Sequence, residues 1–108
     1  GGVYSRLQYP LDLDGGVGEE TRELLVMTRG VNERTALDEE FAKLVASSLK
    51  RFVNRDWGEL AGEDRTANDW AVDHGERVLA AYGTEPDKIW IIREWDGSAT
   101  TILFPDEY

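Results

Sequence analysis

Residues 54–64 read NRDWGELAGED and hold four carboxylates, those of Asp56, Glu59, Glu63 and Asp64. A pair of carboxylates can act as acid and base across a cleft when one of them is desolvated. A larger group can hold a hard cation, although this run lacks the alternating aspartates and fixed glycine of a calcium loop. A metal-dependent hydrolase that uses Asp56, Glu59 and Asp64 is therefore an alternative interpretation.

We prefer a structural interpretation of the same segment, because two glycines within five residues predict a loop between two helices. Acidic side chains are favoured in the first turn of a helix, which is where we expect Glu63 and Asp64. Asp56 is expected to cap a helix end. Trp57 is expected to pack between the two helices and fix their angle.

His74 is the single histidine of the chain. Helical spacing predicts that it projects from an apolar helix face between Trp70 and Val78, as a packed histidine with one hydrogen bond. A catalytic histidine needs an orienting carboxylate and a nucleophile, and no G-x-S-x-G signature occurs here. An enzyme that uses His74 stays an alternative to a protein without catalytic activity.

The charge is strongly negative, at −10, which disfavours direct binding to nucleic acid or an anionic membrane. Residues 1–55 contain 8 basic and 9 acidic side chains, whereas residues 56–108 contain 4 and 13. Nearly all of the excess therefore lies from Asp56 onward. This half predicts either a basic protein partner or a solvated acidic surface that serves solubility.

Partner contacts are predicted where this acidic half meets solvent. An acidic helix face is expected to imitate spaced phosphates or to dock on a basic protein, with an ordinary solvated face as the alternative. Base stacking by the four tryptophans is disfavoured, because stacking platforms need a cationic groove. The candidate partner-binding residues are Asp56, Trp57, Glu59, Asp69, Asp73, Glu76 and a partly exposed Trp95.

Two helices are predicted to position these residues. The first begins at the T-x-x-D sequence of Thr35 and Asp38, and its apolar face comprises Leu37, Phe41, Leu44, Val45, Ser48 and Phe52. The second runs from about Glu63 to Tyr82 with Gly75 in its interior. Its predicted apolar face comprises Ala67, Trp70, Ala71, His74, Val78, Ala81 and Tyr82.

The C-terminal sequence KIWIIREWDGSATTILF predicts a β-hairpin that turns at Asp96-Gly97 and pairs Trp90 with Leu103 and Ile92 with Thr101. Both faces of this hairpin are apolar. Helices are expected to cover one face, and the N-terminal segment or a second copy of the chain the other. The segment 23–31 favours a further strand, with a short helix as the alternative, because periodicity does not distinguish the two over so short a length. The predicted fold is α+β, with two helices packed on a small antiparallel sheet.

We expect one α+β domain over residues 25–108 and an N-terminal extension over residues 1–24. The opening Gly-Gly without methionine is typical of a cleaved purification tag. No apolar run is long enough for a membrane helix and no cysteine occurs, which is typical of a cytoplasmic protein. No cofactor is expected.

Several motifs follow one another along the chain: MTRGVNE (27–33), DWGEL (56–60), ED (63–64), Asn68, GERVLAAY (75–82), KIWII (88–92) and TTILFPDEY (100–108). In this order they resemble a family of small bacterial proteins found on plasmids and other mobile elements, called plasmid-related proteins. The resemblance covers about residues 25–108. It departs at the hairpin tip, where Arg93, Trp95 and Gly97 replace the threonine, alanine and arginine of the family pattern.

The resemblance implies a mobile-element accessory protein, a setting in which small acidic inhibitors of host defences are common. It implies no catalytic residues. The leading hypothesis is a non-enzymatic inhibitor, of the anti-CRISPR or anti-restriction kind, that imitates DNA and occupies a basic nucleic-acid-binding surface. A homo-oligomeric structural protein built through the second hairpin face is the third hypothesis.

Overall fold

The computed structural model describes residues 7–11, 23–94 and 97–108. Within these ranges it contains three α-helices and five β-strands, which confirms the predicted α+β class. The helices are α1 (Arg29–Leu37), α2 (Glu39–Val53) and α3 (Gly62–His74), and the strands are β1 (Leu7–Leu11), β2 (Glu23–Met27), β3 (Val78–Tyr82), β4 (Ile89–Arg93) and β5 (Ala99–Leu103).

The strands form one sheet in the order β1-β2-β5-β4-β3. The sheet is mixed, because β2 and β5 are parallel while the other neighbouring strands are antiparallel. The prediction of a purely antiparallel sheet is therefore wrong for this one pair, whose partners are far apart in the sequence. Residues 7–11, expected in an extension outside the domain, form an outer strand of the same sheet, where Pro10 is tolerated.

The C-terminal hairpin has the predicted register, with Trp90 opposite Leu103 and Ile92 opposite Thr101. Asp96 of the predicted turn lies outside the described residues. The face that contains Ile89, Ile91 and Ile102 is fully buried against the helices, as predicted. On the opposite face, Trp90 contacts Tyr108 edge-on at 5.6 Å between ring centroids.

The start of the first helical region differs from the prediction. The strand predicted over 23–31 ends at Met27, and α1 follows it, capped by Thr28. Thr35 lies inside α1, where its hydroxyl donates to the Asn32 carbonyl. Asp38 is the N-cap of α2 and accepts from the Phe41 N–H at 3.1 Å, which lowers the pKa of Asp38.

The core contacts of α2 follow the predicted spacing. Phe41, Val45, Ser48 and Phe52 are buried, which confirms this part of the predicted face. Leu37 is wrong as a member, because it ends α1 and is 87% exposed.

The second predicted helix is too long by eight residues, because α3 ends at His74 and residues 78–82 form β3. Gly75 has φ +67 and caps α3 in the left-handed conformation, so it is a terminator rather than an interior glycine. The predicted helical continuation is therefore wrong. No helix in the described part of the chain is long and apolar enough to cross a membrane.

Candidate functional site

Asp56 is held by the end of α2. The Arg51 guanidinium donates to its two carboxylate oxygens at 2.8 and 3.1 Å, and the Gly58 N–H donates at 3.2 Å. These contacts, with Arg51 first, hold the pKa of Asp56 below its ordinary value. The prediction that Asp56 caps a helix is wrong for α3, whose N-cap is Ala61 and has no side-chain cap. The carboxylate instead fixes the loop after α2.

The loop that follows covers the free edge of β3. The Glu59 N–H donates to the Ala81 carbonyl at 2.8 Å, and the Asn68 amide donates to the Leu79 carbonyl at the same distance. Both acceptors face away from β4, where an uncovered edge would present unpaired carbonyls. Gly58 fits this approach because a Cβ there would lie 2.0 Å from the Ala81 oxygen.

Trp57 lies in the core at this junction. Its side chain is 3% exposed and packs edge-on against Phe52 at 5.3 Å between ring centroids. Its Nε1–H donates to Asp69 at 3.0 Å. The predicted packing role of Trp57 is confirmed, and its buried indole presents no surface to a partner in this structure.

The carboxylates of the acidic half divide into engaged and unengaged groups. Asp69 accepts from Trp57, and Asp73 accepts from Arg55 at 3.0 Å. Among residues 59–76, the unengaged group comprises Glu59, Glu63, Asp64 and Glu76, which are exposed and have neither an ion pair nor a side-chain hydrogen bond within the described residues. Glu63 and Asp64 occupy the first turn of α3, as predicted.

The phase of α3 about its axis differs from the prediction. Its buried residues are Asn68 and Ala71, and the former is the residue that caps the β3 edge. Trp70 and His74, predicted to pack in the core, are exposed on the outer face. Their rings stack on each other at 3.9 Å between centroids with an interplanar angle of 10°. His74 is therefore a surface residue without a neighbouring nucleophile in any contact that the structure describes.

The hairpin tip approaches the end of α3. Arg93 and Gly97, two of the residues at which the resemblance to plasmid-related proteins breaks down, line a cavity of about 210 Å³ together with Glu76. Trp95, the third departure and a predicted partner contact, lies outside the described residues.

The predicted metal ligands do not converge. No group of three histidine, aspartate or glutamate side chains within residues 7–11, 23–94 and 97–108 is arranged to hold a metal ion. Asp56, Glu59 and Asp64 therefore form no such group, and Asp56 is already bound to Arg51.

One carboxylate contact between distant parts of the chain could not be predicted from the sequence. Glu107 accepts from the Thr28 hydroxyl at 2.6 Å, from the Gly30 N–H at 3.1 Å and from the Phe104 N–H at 2.9 Å. This contact connects the C-terminal turn to the start of α1. The signal was present as two separate motifs, MTRGVNE and TTILFPDEY, but nothing local to either motif indicated that they meet.

The motif positions thus connect different elements of the fold. Asp56 and Gly58 contact β3, Trp57 contacts α3, Asn68 joins α3 to β3, and Glu107 joins the C-terminal turn to α1. The exposed outer face of α3 is therefore the candidate functional surface. Comparisons with protein-family models, curated proteins and solved structures found no match.

Proposed function

We propose that this chain is a non-enzymatic binding protein whose acidic segment, defined as residues 59–76, engages a basic protein surface. Six acidic and one basic side chain lie in this segment. The observation that carries the proposal is that all six carboxylates are exposed, while five of them, all but Asp73, have no ion pair in the described residues. The negative electrostatic potential of these carboxylates attracts a cationic partner and accelerates its association.

The partner that best fits this charge is a protein that itself binds nucleic acid. Its basic groove attracts phosphates, and exposed carboxylates along a helix compete for the same groove. The resemblance to plasmid-related proteins supports a host defence complex as that partner, so the inhibitor would be of the anti-CRISPR or anti-restriction kind. Such complexes act on DNA inside the cell, and we therefore propose a cytoplasmic location.

The metal-dependent hydrolase receives less support. A cation at Asp56 would have to displace the Arg51 guanidinium and the Gly58 N–H from the carboxylate. No hydrogen bond between His74 and a carboxylate occurs within the described residues, where its Nδ1 lies 2.8 Å from the Trp70 carbonyl oxygen.

Phage plating on hosts with an active CRISPR or type I restriction system tests the proposed function. Two variants carry the same charge change, from −10 to −4. One is Glu59→Lys/Glu63→Lys/Glu76→Lys in the acidic segment. The matched control is Glu33→Lys/Glu39→Lys/Glu85→Lys, whose exposed glutamates have no ion pair in the described residues.

We expect the wild type to raise phage plating efficiency on at least one such host. The control triple variant (Glu33, Glu39 and Glu85 changed) should retain this effect, and the segment triple variant (Glu59, Glu63 and Glu76 changed) should lose it. Unchanged plating on every host would contradict the anti-defence role. Retention of the effect by the segment triple would contradict the role of the acidic segment.

A further inference from the structure

We propose that the outer face of α3 holds an arginine of the basic partner, with Trp70 as the residue on which its guanidinium stacks. This docking face comprises Glu63, Thr66, Ala67, Trp70, Asp73 and His74. The inference rests on the proposed function, since it names the side-chain chemistry of the partner that the acidic segment binds.

Trp70 is unusual among the described tryptophans because 55% of its surface is exposed, against 3% for Trp57. Aromatic side chains are enriched in the core of protein interfaces relative to the rest of the protein surface. Tryptophan is also strongly enriched among the residues that dominate binding energies at protein interfaces.

The indole of Trp70 is held in place before any partner arrives. The His74 ring stacks on one of its faces at 3.9 Å between centroids, and His74 Nδ1 lies 2.8 Å from the Trp70 carbonyl oxygen. A side chain that is already fixed loses little conformational entropy on binding. The stack therefore prepares the second face of the indole for a ligand.

The surroundings of that second face select a cation. The residues one helical turn before Trp70 are the small Thr66 and Ala67, and both are exposed. Glu63 lies two turns before Trp70 and has no ion pair in the described residues, while Asp73 uses only Oδ1 for its bond to Arg55. A carboxylate near an aromatic face is the environment that a guanidinium fits.

Arginine fits this face better than lysine. Its planar guanidinium stacks on an indole and donates to a carboxylate in the same plane, whereas the lysine ammonium is a strongly hydrated point charge. A purely apolar partner would desolvate the neighbouring carboxylates without pairing them. A nucleic acid or an anionic membrane would meet a net charge of −10.

Titration with polyarginine and polylysine of about ten residues at low salt tests the inference, because the two peptides differ in the planar cation and match in charge. The readouts are the dissociation constants of the two peptides and the NMR chemical shifts of the tryptophan indole N–H groups. Trp70→Ala both assigns the Trp70 indole signal and removes the proposed stacking surface. Because the Trp70 side chain is exposed, we expect this variant to fold.

We expect polyarginine to bind about two- to fivefold more tightly than polylysine, to shift the Trp70 indole signal and to leave the buried Trp57 signal in place. Trp70→Ala should abolish the preference for arginine and leave polylysine binding unchanged. Equal binding of both peptides by the wild type, or a preference that survives Trp70→Ala, would overturn the inference alone. If neither peptide binds, both this inference and the proposed acidic binding function are overturned.

Discussion

Two separate constraints, its backbone conformation and its close packing, require glycine at position 58. Its φ of +74 lies in the left-handed region, and an added Cβ would approach the Ala81 oxygen to 2.0 Å. Neither constraint can be relieved without moving the loop away from β3, because the neighbouring Glu59 N–H is bonded to the same oxygen.

We expect Gly58→Ala to destabilise the protein by about 3 kcal/mol or more, from the combined strain and overlap. Gly62→Ala is the matched control, because Gly62 begins α3 with nothing within 4 Å of the added Cβ. Urea unfolding of both variants measures the difference. Equal stability of the two variants would contradict the close approach of the loop to β3.

The Asp56 carboxylate makes stability depend on pH. The Arg51 guanidinium lowers the pKa of Asp56 in the fold below its ordinary value of 3.8, so the carboxylate binds protons less readily there than in the unfolded chain. Its contribution is fully present above that ordinary value and is lost as the pH falls through the lower value.

Asp56→Asn should therefore be less stable than the wild type at neutral pH, and the difference should narrow in acid. Thermal unfolding of both proteins from pH 7 to about pH 3 measures this convergence. A difference in melting temperature that stays constant over this range would show that the Asp56 charge does not contribute.

The elements that could be predicted from the sequence are those whose signal is local. Helix α2 has a clear 3.6-residue apolar spacing, and the hairpin has β-branched strands around an Asp-Gly turn. Helix α1 has no such spacing, with Val31 as its one buried residue. Its start depends on Thr28 and on Glu107, which lies 77 residues beyond Gly30 in the sequence.

The phase of α3 could not be predicted because a polar residue faces inward. Asn68 is buried because its amide satisfies the Leu79 carbonyl at the edge of β3, and this bond exists in the folded chain alone. The helical spacing of apolar side chains instead predicts Trp70 and His74 as the inward-facing residues. The predicted helix also extends into β3, because the alanines of VLAAY suit either structure and the sequence pattern does not reveal the left-handed conformation of Gly75.

The contact between the C-terminal turn and α1 is testable by substitution of Glu107. Glu107→Gln keeps the shape of the side chain but removes the charge that accepts from Thr28, Gly30 and Phe104. We expect a loss of about 1–3 kcal/mol of unfolding free energy, because these donors are left poorly satisfied. Denaturant unfolding measures it.

Asp106→Asn is the control for this change, because Asp106 is the exposed neighbour in the same turn. It should alter stability by less than about 0.5 kcal/mol. If the two variants are equally stable, the docking of the C-terminal turn on α1 is not a source of stability.

At the scale of the whole molecule, packing and charge are separated in space. The motif residues of the loop after α2 and of the inner face of α3 bind the sheet, which leaves the outer face of α3 with the exposed carboxylates and Trp70. The location of the negative charge could be predicted from the count of residues 56–108. Which of those carboxylates are engaged could not, because Asp69 and Asp73 find their partners through the fold.

Binding to a basic ligand shows whether the position of the negative charge in the fold, rather than the total charge, determines affinity. Calorimetric titration with polylysine at low salt compares the wild type with the segment triple Glu59→Lys/Glu63→Lys/Glu76→Lys and with the control triple Glu33→Lys/Glu39→Lys/Glu85→Lys. Both variants have the net charge −4. We predict that the control triple binds within a few-fold of the wild type and that the segment triple loses at least about tenfold in affinity, the effect of about 1.4 kcal/mol. Equal loss in both triples would contradict the claim, because binding would then follow net charge alone.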